Sequence, residues 1–231
     1  MSENKLVFIL TSAGRGDRFG KTKKGKQFEL INGTPTIIYS LKSILKLRDL
    51  VQIIITVNKE VGAAYIKKLL KEYSIDLNVT ICNGGRTRAA SVFNAFKKIS
   101  GNTGLVIIHD SARPSLNSNT IKKMSKSLGK NHGIILASKV RDTIKKTAGS
   151  DLINKTLKRE KLWHSETPQI FKYSVLKKCY ETDSDFSKYT DEAQLLENNG
   201  YRVKIFENNE YNKKITTKED LNMYKILFKN V

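Results

Sequence analysis

The stretch Thr11-Ser-Ala-Gly-Arg-Gly-Asp-Arg-Phe-Gly20, continuing through Lys21-Thr-Lys-Lys-Gly-Lys-Gln27, follows directly on the apolar run Leu6-Val-Phe-Ile-Leu10. A short run of branched and aromatic residues with no polar alternation reads as a strand buried on both faces. A strand that empties into glycines and cations presents backbone N–H groups with positive charge beside them, and anionic oxygens bind there. A Gly-rich turn with solvated lysines is the plain alternative for Gly14 and Gly16 taken alone.

Two departures narrow the kind of phosphate loop. The chain has no G-x-x-x-x-G-K-[ST] after this strand, and position 19 is Phe where a G-x-G-x-x-G would need its third glycine. No acidic residue follows a second strand where a dinucleotide ribose would need one. A loop carrying Arg18 and Lys26 beside a glycine turn suits a triphosphate better than a dinucleotide bridge.

Outward from this loop, apolar strands alternate with helical stripes. Ile37, Ile38, Leu41, Ile44 and Leu45 mark a helix over 35–47, and Val51 to Val57 a second strand. Ile66, Leu69, Leu70 and Tyr73 face inward from a helix that precedes a third strand, Leu77 to Cys82. A helix from about Thr87 carries Ala89, Val92, Phe93, Phe96 and Ile99; Leu105 to Ile108 is a fourth strand. Ile121, Met124 and Leu128 form a helix stopped by Gly129, and Gly133 to Ala137 a fifth strand. Beyond it, Thr167 to Phe171 leads to a helix over 173–180. A short helix (191–198), a strand (202–206) and a last helix with Leu221, Tyr224, Leu227 and Phe228 inward complete the chain. This alternation predicts an α/β fold with a doubly wound, mostly parallel sheet, whose ligands sit beyond the carboxyl ends of its strands. Residues 138–160 break the pattern: charged, without a helical stripe, they read as a solvated insertion or as a β-arm packing on another subunit.

The 231 residues, 39% of them hydrophobic, fit one sizeable domain or two small ones, and a single domain over 1–231 is expected. With no long apolar run and no signal-peptide pattern, a soluble, cytoplasmic protein without membrane contact is expected. Two cysteines far apart and three histidines give neither a disulfide framework nor a zinc cluster. The net charge of +20 raises a nucleic-acid hypothesis. Because the lysines are spread along the chain, small anionic substrates are the expected partners and no nucleic acid is.

Five constellations carry candidate chemistry. Arg18 and Lys26 can stabilise negative charge accumulating on a phosphoryl transition state. Gly84-Gly85-x-x-Arg88-x-x-Ser91 lets a planar base approach the backbone at the start of a helix. In His109-Asp110-x-Ala-Arg113-Pro114, Asp110 is a candidate hydroxyl acceptor or outer-shell magnesium partner, and Arg113 a phosphate holder or a support for Asp110. His109, ending a buried strand, reads as structural. Thr143, Thr167 and Arg159 supply the hydroxyls and cation that a polyol phosphate needs. Thr190 or Asp191 caps a helix, and Lys213-Lys214 precedes the last one.

Ser12-Ala-Gly-x-Gly-x-Arg18, Lys26-Gln-Phe28 and Asn32-Gly-Thr-Pro35 resemble the signature of sugar-phosphate nucleotidyltransferases. With Arg141-Asp-Thr-Ile-Lys145, Arg159-x-x-Leu-Trp163 and Thr167-Pro-Gln169, the match is most similar to the 2-C-methyl-D-erythritol 4-phosphate cytidylyltransferases, in order along nearly the whole chain. The resemblance implies a Rossmann-like nucleotidyltransferase domain with 138–160 as a protruding dimerisation arm. It implies transfer from CTP to that polyol phosphate with release of pyrophosphate, Mg2+ as cofactor, and a homodimer. Arg18, Lys26 and Lys214 take catalytic roles on this reading. Ser12, Ala13, Gly14, Gly16, Gly84, Gly85, Arg88 and Ser91 bind nucleotide, and Asp110, Arg113, Thr143, Arg159, Thr167 and Thr190 bind substrate. Departures occur at Gly25 (the family has proline), at Ala90 (often acidic) and at Lys213 (apolar in the family). A ribitol 5-phosphate cytidylyltransferase and a non-catalytic nucleotide or nucleic-acid binder are the two rival functions.

Overall fold

The computed structural model describes residues 5–14, 16, 19, 20, 24–101, 103–149, 151–183 and 185–229. In chain order, β1 (Leu6–Ser12) leads to the small hairpin β2 (Leu30–Ile31) and β3 (Thr34–Pro35). Then come α1 (Thr36–Ile44), β4 (Leu50–Val57), α2 (Gly62–Glu72), β5 (Val79–Asn83), α3 (Arg88–Phe96) and β6 (Leu105–Asp110). They are followed by α4 (Ser118–Leu128), β7 (Gly133–Lys139), β8 (Ile144–Thr147), β9 (Ile153–Leu157) and β10 (Trp163–Lys172). The chain ends with α5 (Tyr173–Thr182), α6 (Glu192–Asn198), β11 (Val203–Glu207) and α7 (Lys218–Leu227).

Seven strands form one sheet in the order β11-β7-β10-β6-β1-β4-β5. All neighbours are parallel except β10, which runs antiparallel to both β6 and β7. Successive side chains point to opposite faces, so the run Val7-Phe8-Ile9-Leu10 feeds two cores. Phe8 and Leu10 pack with Ile37, Leu41, Ile66 and Met124 of α1, α2 and α4. Val7 and Ile9 pack with Val92 and Phe96 of α3 and with Leu176 and Leu196 of α5 and α6. A third cluster, including Phe19, Ile31, Ile215 and Tyr224, fastens α7 and the hairpin over one end.

The helix boundaries have local causes. The Thr87 hydroxyl accepts from the Ala90 N–H at the start of α3, and Thr217 with Asp220 makes a reciprocal capping box on α7. Gly129, at φ +54°, ends α4.

Two sequence expectations change. Residues 167–171 do not merely lead into a helix; they belong to β10, inside the sheet. Only Ile170 and Phe171 there are fully buried apolar residues, and the buried Thr167 and Gln169 spoil the hydrophobic signal. Pro168 falls at a register irregularity between Ser165 and Gln169, where no ladder donor is needed. Leu227 does not face inward: it is 45% exposed, while Leu221 and Tyr224 hold the core face of α7.

Residues 138–160 contain the separate two-stranded ribbon β8–β9, and nearly all of its side chains are exposed. Among the described residues no helix is long and apolar enough to cross a membrane.

The antiparallel pairing of β7 with β10 is closely packed at Gly133 and Phe171. A Cβ built on Gly133 would lie 2.6 Å from Cδ1 of Phe171, itself fully buried. Gly133→Ala is expected to destabilise the fold by about 1–3 kcal/mol through overpacking, read as a lower urea midpoint at unchanged m-value.

Candidate active site

The parallel register brings four strand ends to one edge. Ser12 pairs with Val57, Val57 with Asn83, and Thr11 with both Thr56 and Asp110. Beyond this edge opens a cleft of about 1090 Å³. Its walls are the loop after β1, the loop between β5 and α3, the end of β6, and Lys214.

The loops approach so closely that glycine is required. A Cβ on Gly84 would sit 2.2 Å from the Ala13 Cβ, and one on Gly85 would sit 2.4 Å from the Ala90 Cβ. Gly84 donates its N–H to the Val57 carbonyl at 2.8 Å. Ser91 donates to the Thr87 carbonyl and accepts from the Gly85 N–H at 3.0 Å, so its hydroxyl ties the loop to α3. On the loop after β1, the buried Gln27 donates from Nε2 to the carbonyls of Ser12 (2.5 Å) and Gly14 (3.4 Å). This holds the turn Lys26–Phe28 against the end of β1, and Gly16, at φ +77°, lies against the Lys26 stem.

At the floor stands Asp110, buried and surrounded by cations. Arg88 Nε is 3.2 Å from Oδ1, Lys214 Nζ is 2.7 Å from Oδ2, and Arg113 Nε is 3.9 Å from Oδ2. Thr11 donates its hydroxyl to Oδ1 at 3.1 Å. Burial works to raise the carboxyl pKa, but Arg88, Lys214 and Arg113 outweigh it and hold Asp110 well below the usual carboxylate range. Arg88 also donates from Nη1 to Glu192 Oε2 at 2.8 Å. Despite burial, which lowers it, its guanidinium is raised by Glu192 and Asp110 and stays charged.

Ser12, Ala13, Gly14, Gly16, Lys26, Gly84, Gly85, Arg88, Ser91, Asp110 and Lys214 all line the cleft. Arg18 lies outside the described residues. Of the adjacent pair Lys213 and Lys214, Lys213 extends outward to Asp220 (2.9 Å), while Lys214 turns in to Asp110. Arg113 does not line the cleft but donates from Nη1 to the Asn212 carbonyl at 2.6 Å, so it braces the segment carrying Lys214.

Thr167 is buried under the floor rather than facing it; its hydroxyl accepts from the Asp110 N–H and contacts His109 Nδ1. Thr143, Arg159 and Thr190 are exposed and do not line the cleft within this single chain. Arg159 donates to the Arg141 carbonyl, and Thr190 donates to Gln194 Oε1 beside Asp191, the actual cap of α6. Sequence reasoning assigned no role to Gln27, which sits inside the quoted Lys26-Gln-Phe28, or to Glu192, which directly follows the cap residue Asp191. It also missed the exposed Lys59 and Arg86 on the cleft rim, whose only signal is a position just past a strand end.

Among the described residues no three potential ligands converge to hold a metal. Both oxygens of Asp110 are engaged by cations, so the described side chains do not make a protein-held magnesium cage.

His109 is fully buried between the Arg113 carbonyl (Nε2, 3.0 Å) and Thr167 (Nδ1, 3.0 Å), and burial lowers its pKa to about 4. The unfolded chain takes up this proton near the ordinary value of about 6.5, the folded chain only near 4. Between these values the unfolded state binds more protons, so stability falls as pH is lowered. Asp110, whose pKa is depressed, adds a loss of the same sign at lower pH. The urea midpoint is expected to drop between about pH 7 and about pH 5, and His109→Gln to flatten that interval.

Comparison with known proteins accords with this geometry. The family model described as 2-C-methyl-D-erythritol 4-phosphate cytidylyltransferase matches residues 6–230. Proteins so named from Clostridium novyi and Aquifex aeolicus are similar at 33% and 37% identity. The alignments cover 99% of this chain and 98% of the first relative, and 94% of both chains for the second. Among solved structures, 4-diphosphocytidyl-2C-methyl-D-erythritol synthase from Anaerococcus prevotii superposes with a TM-score of 0.84 at 27% identity, covering 98% of this chain and 100% of that one. The Francisella tularensis cytidylyltransferase gives 0.76 at 28% identity over 95% and 97%. By the length that the family model and its relatives match, the chain belongs to the 2-C-methyl-D-erythritol 4-phosphate cytidylyltransferase family.

Proposed function

We infer that the protein is a nucleotidyltransferase that moves CMP from CTP to 2-C-methyl-D-erythritol 4-phosphate, a step in making isoprenoid precursors. The observation that carries the reading is the cationic floor, with Lys214 set on Asp110 in the same cleft that Lys26 lines. A phosphate oxygen of the polyol phosphate attacks the α-phosphorus of CTP. The new P–O bond forms as the bond to the β-phosphate breaks, and pyrophosphate departs. No general base is needed, because a phosphate monoester is already largely ionised near neutral pH. Negative charge grows on the oxygens of the five-coordinate phosphorus, where Lys26 and Lys214 act as cations of the cleft and Arg18 is assigned the same catalytic role by the family resemblance. Asp110 serves by aiming Lys214 rather than by taking a proton.

Cytosine is read by backbone groups of the segment 84–91, whose close approach the glycines permit. Magnesium enters this proposal as the companion of the triphosphate oxygens, and the transfer is assigned to the chain's own residues. The exposed ribbon supports a further element of the reading: a homodimer in which Thr143 and Arg159 complete the neighbour's site. Thr190 borders the same substrate region in this reading.

Pyrophosphate release tests the assignment. Lys26→Ala is expected to lower kcat by about 10²–10³ with a smaller effect on the KM for CTP. UTP, with donor and acceptor edges reversed, is expected to be poorer than CTP by about 10² or more in kcat/KM. Inactive Lys214→Ala and Arg159→Ala chains, mixed and allowed to exchange subunits, are expected to regain activity through hybrid sites. Exchange confirmed by tag pull-down without regained activity would refute the shared site.

A further inference from the structure

Glu192 is a carboxylate that the transfer does not use. It opens α6 on the far side of Arg88 from the cleft and is only 2% exposed, beside Ala193 and Leu196 in the second core cluster. Burying a carboxylate is costly unless a specific partner compensates, and burial accordingly raises the Glu192 pKa against the opposing pull of Arg88. The partner is Arg88 Nη1 at 2.8 Å, while Nε of the same guanidinium lies 3.2 Å from Asp110 Oδ1. Two carboxylates thus grip one planar group at two points, which fixes its plane as well as its place. Held there, Arg88 shares Oδ1 of Asp110 with the Thr11 hydroxyl, while Oδ2 takes Lys214 at 2.7 Å, with Arg113 Nε farther off at 3.9 Å.

Arg88 also lines the cleft, with its side chain 24% exposed. A guanidinium gripped only by Asp110 can turn toward the anionic ligand, and the carboxylate that aims Lys214 then turns with it. We propose that Glu192 is a positioning residue for nucleotidyl transfer, holding Arg88 on Asp110 so that Lys214 stays aimed at the reacting phosphate. The proposal rests on the function inferred above.

The variants Glu192→Ala, Glu192→Asp and Glu192→Gln, made in the full chain, separate position from charge. Gln keeps an oxygen for Arg88 Nη1 at the same reach, whereas Asp keeps the charge but draws it back by about one bond length, ~1.5 Å. With CTP, 2-C-methyl-D-erythritol 4-phosphate and magnesium, kcat per folded molecule is expected to fall about tenfold or more in the Ala and Asp variants. The KM for CTP is expected to change less than about threefold, and Gln to recover most of the loss. In an Arg88→Ala background, Glu192→Ala is expected to cost nothing further, because its route to the cleft is already cut. A merely structural role would lower the melting temperature and the folded fraction while leaving kcat per folded molecule unchanged. Full kcat in the Ala variant, or an added loss on the Arg88→Ala background, would overturn the proposal alone. A wild-type protein that releases no pyrophosphate from CTP would overturn the functional reading and the proposal with it.

Discussion

A carboxylate buried at the end of a sheet strand cannot remain ionised without compensation, and at Asp110 that compensation comes from three separate parts of the chain. Arg88 arrives from α3, Arg113 from the turn just after β6, and Lys214 from the segment before α7. Each lies at a different distance along the sequence, so the need to pair one carboxylate ties the sheet edge to the C-terminal segment. With Glu192 included, three cations face two carboxylates, and the cluster keeps a positive balance toward the cleft. Such a floor favours anionic ligands while its own members stay fixed, which is what preorganised stabilisation requires.

Around that floor, rigidity is achieved by backbone contacts rather than by bulk. Gln27 ties the Lys26 turn to the carbonyls of Ser12 and Gly14, and Ser91 ties the second glycine loop to α3. Beneath them, His109 and Thr167 join β6 to β10 and hold the Asp110 main chain. Glu166 adds a further brace, accepting from Ser138, Asn208 and Asn212, and Asn212 passes its carbonyl to Arg113. Lys214 is therefore supported through main-chain and carboxylate links on both sides of its segment. Among the described residues the ribbon β8–β9 has fewer such contacts within one chain, among them Lys145 to Thr156 and Arg159 to the Arg141 carbonyl. Leu152 and Ile153 near its tip are 78% and 62% exposed, an arrangement suited to packing on another surface.

Much of this was legible in the amino-acid order. The alternation of Val7 and Ile9 with Phe8 and Leu10, the stripes of α1 to α4, the stop at Gly129 and the glycine loops all arise from local periodicity and backbone freedom. Those features determined the α/β class, the mostly parallel sheet and the edge where a ligand must lie. The tertiary structure alone decided which polar residues meet. It placed β10 inside the sheet, because burial of Thr167 and Gln169 depends on partners in β6 and near α6 that no local pattern reveals. It turned Lys214 inward and Lys213 outward, because Asp110 and Asp220 lie on opposite sides of that segment. It set Arg88 between Asp110 and Glu192, residues far from it in sequence, since hydrogen-bond geometry between side chains is fixed by the packing of whole elements and not by the order of residues within them.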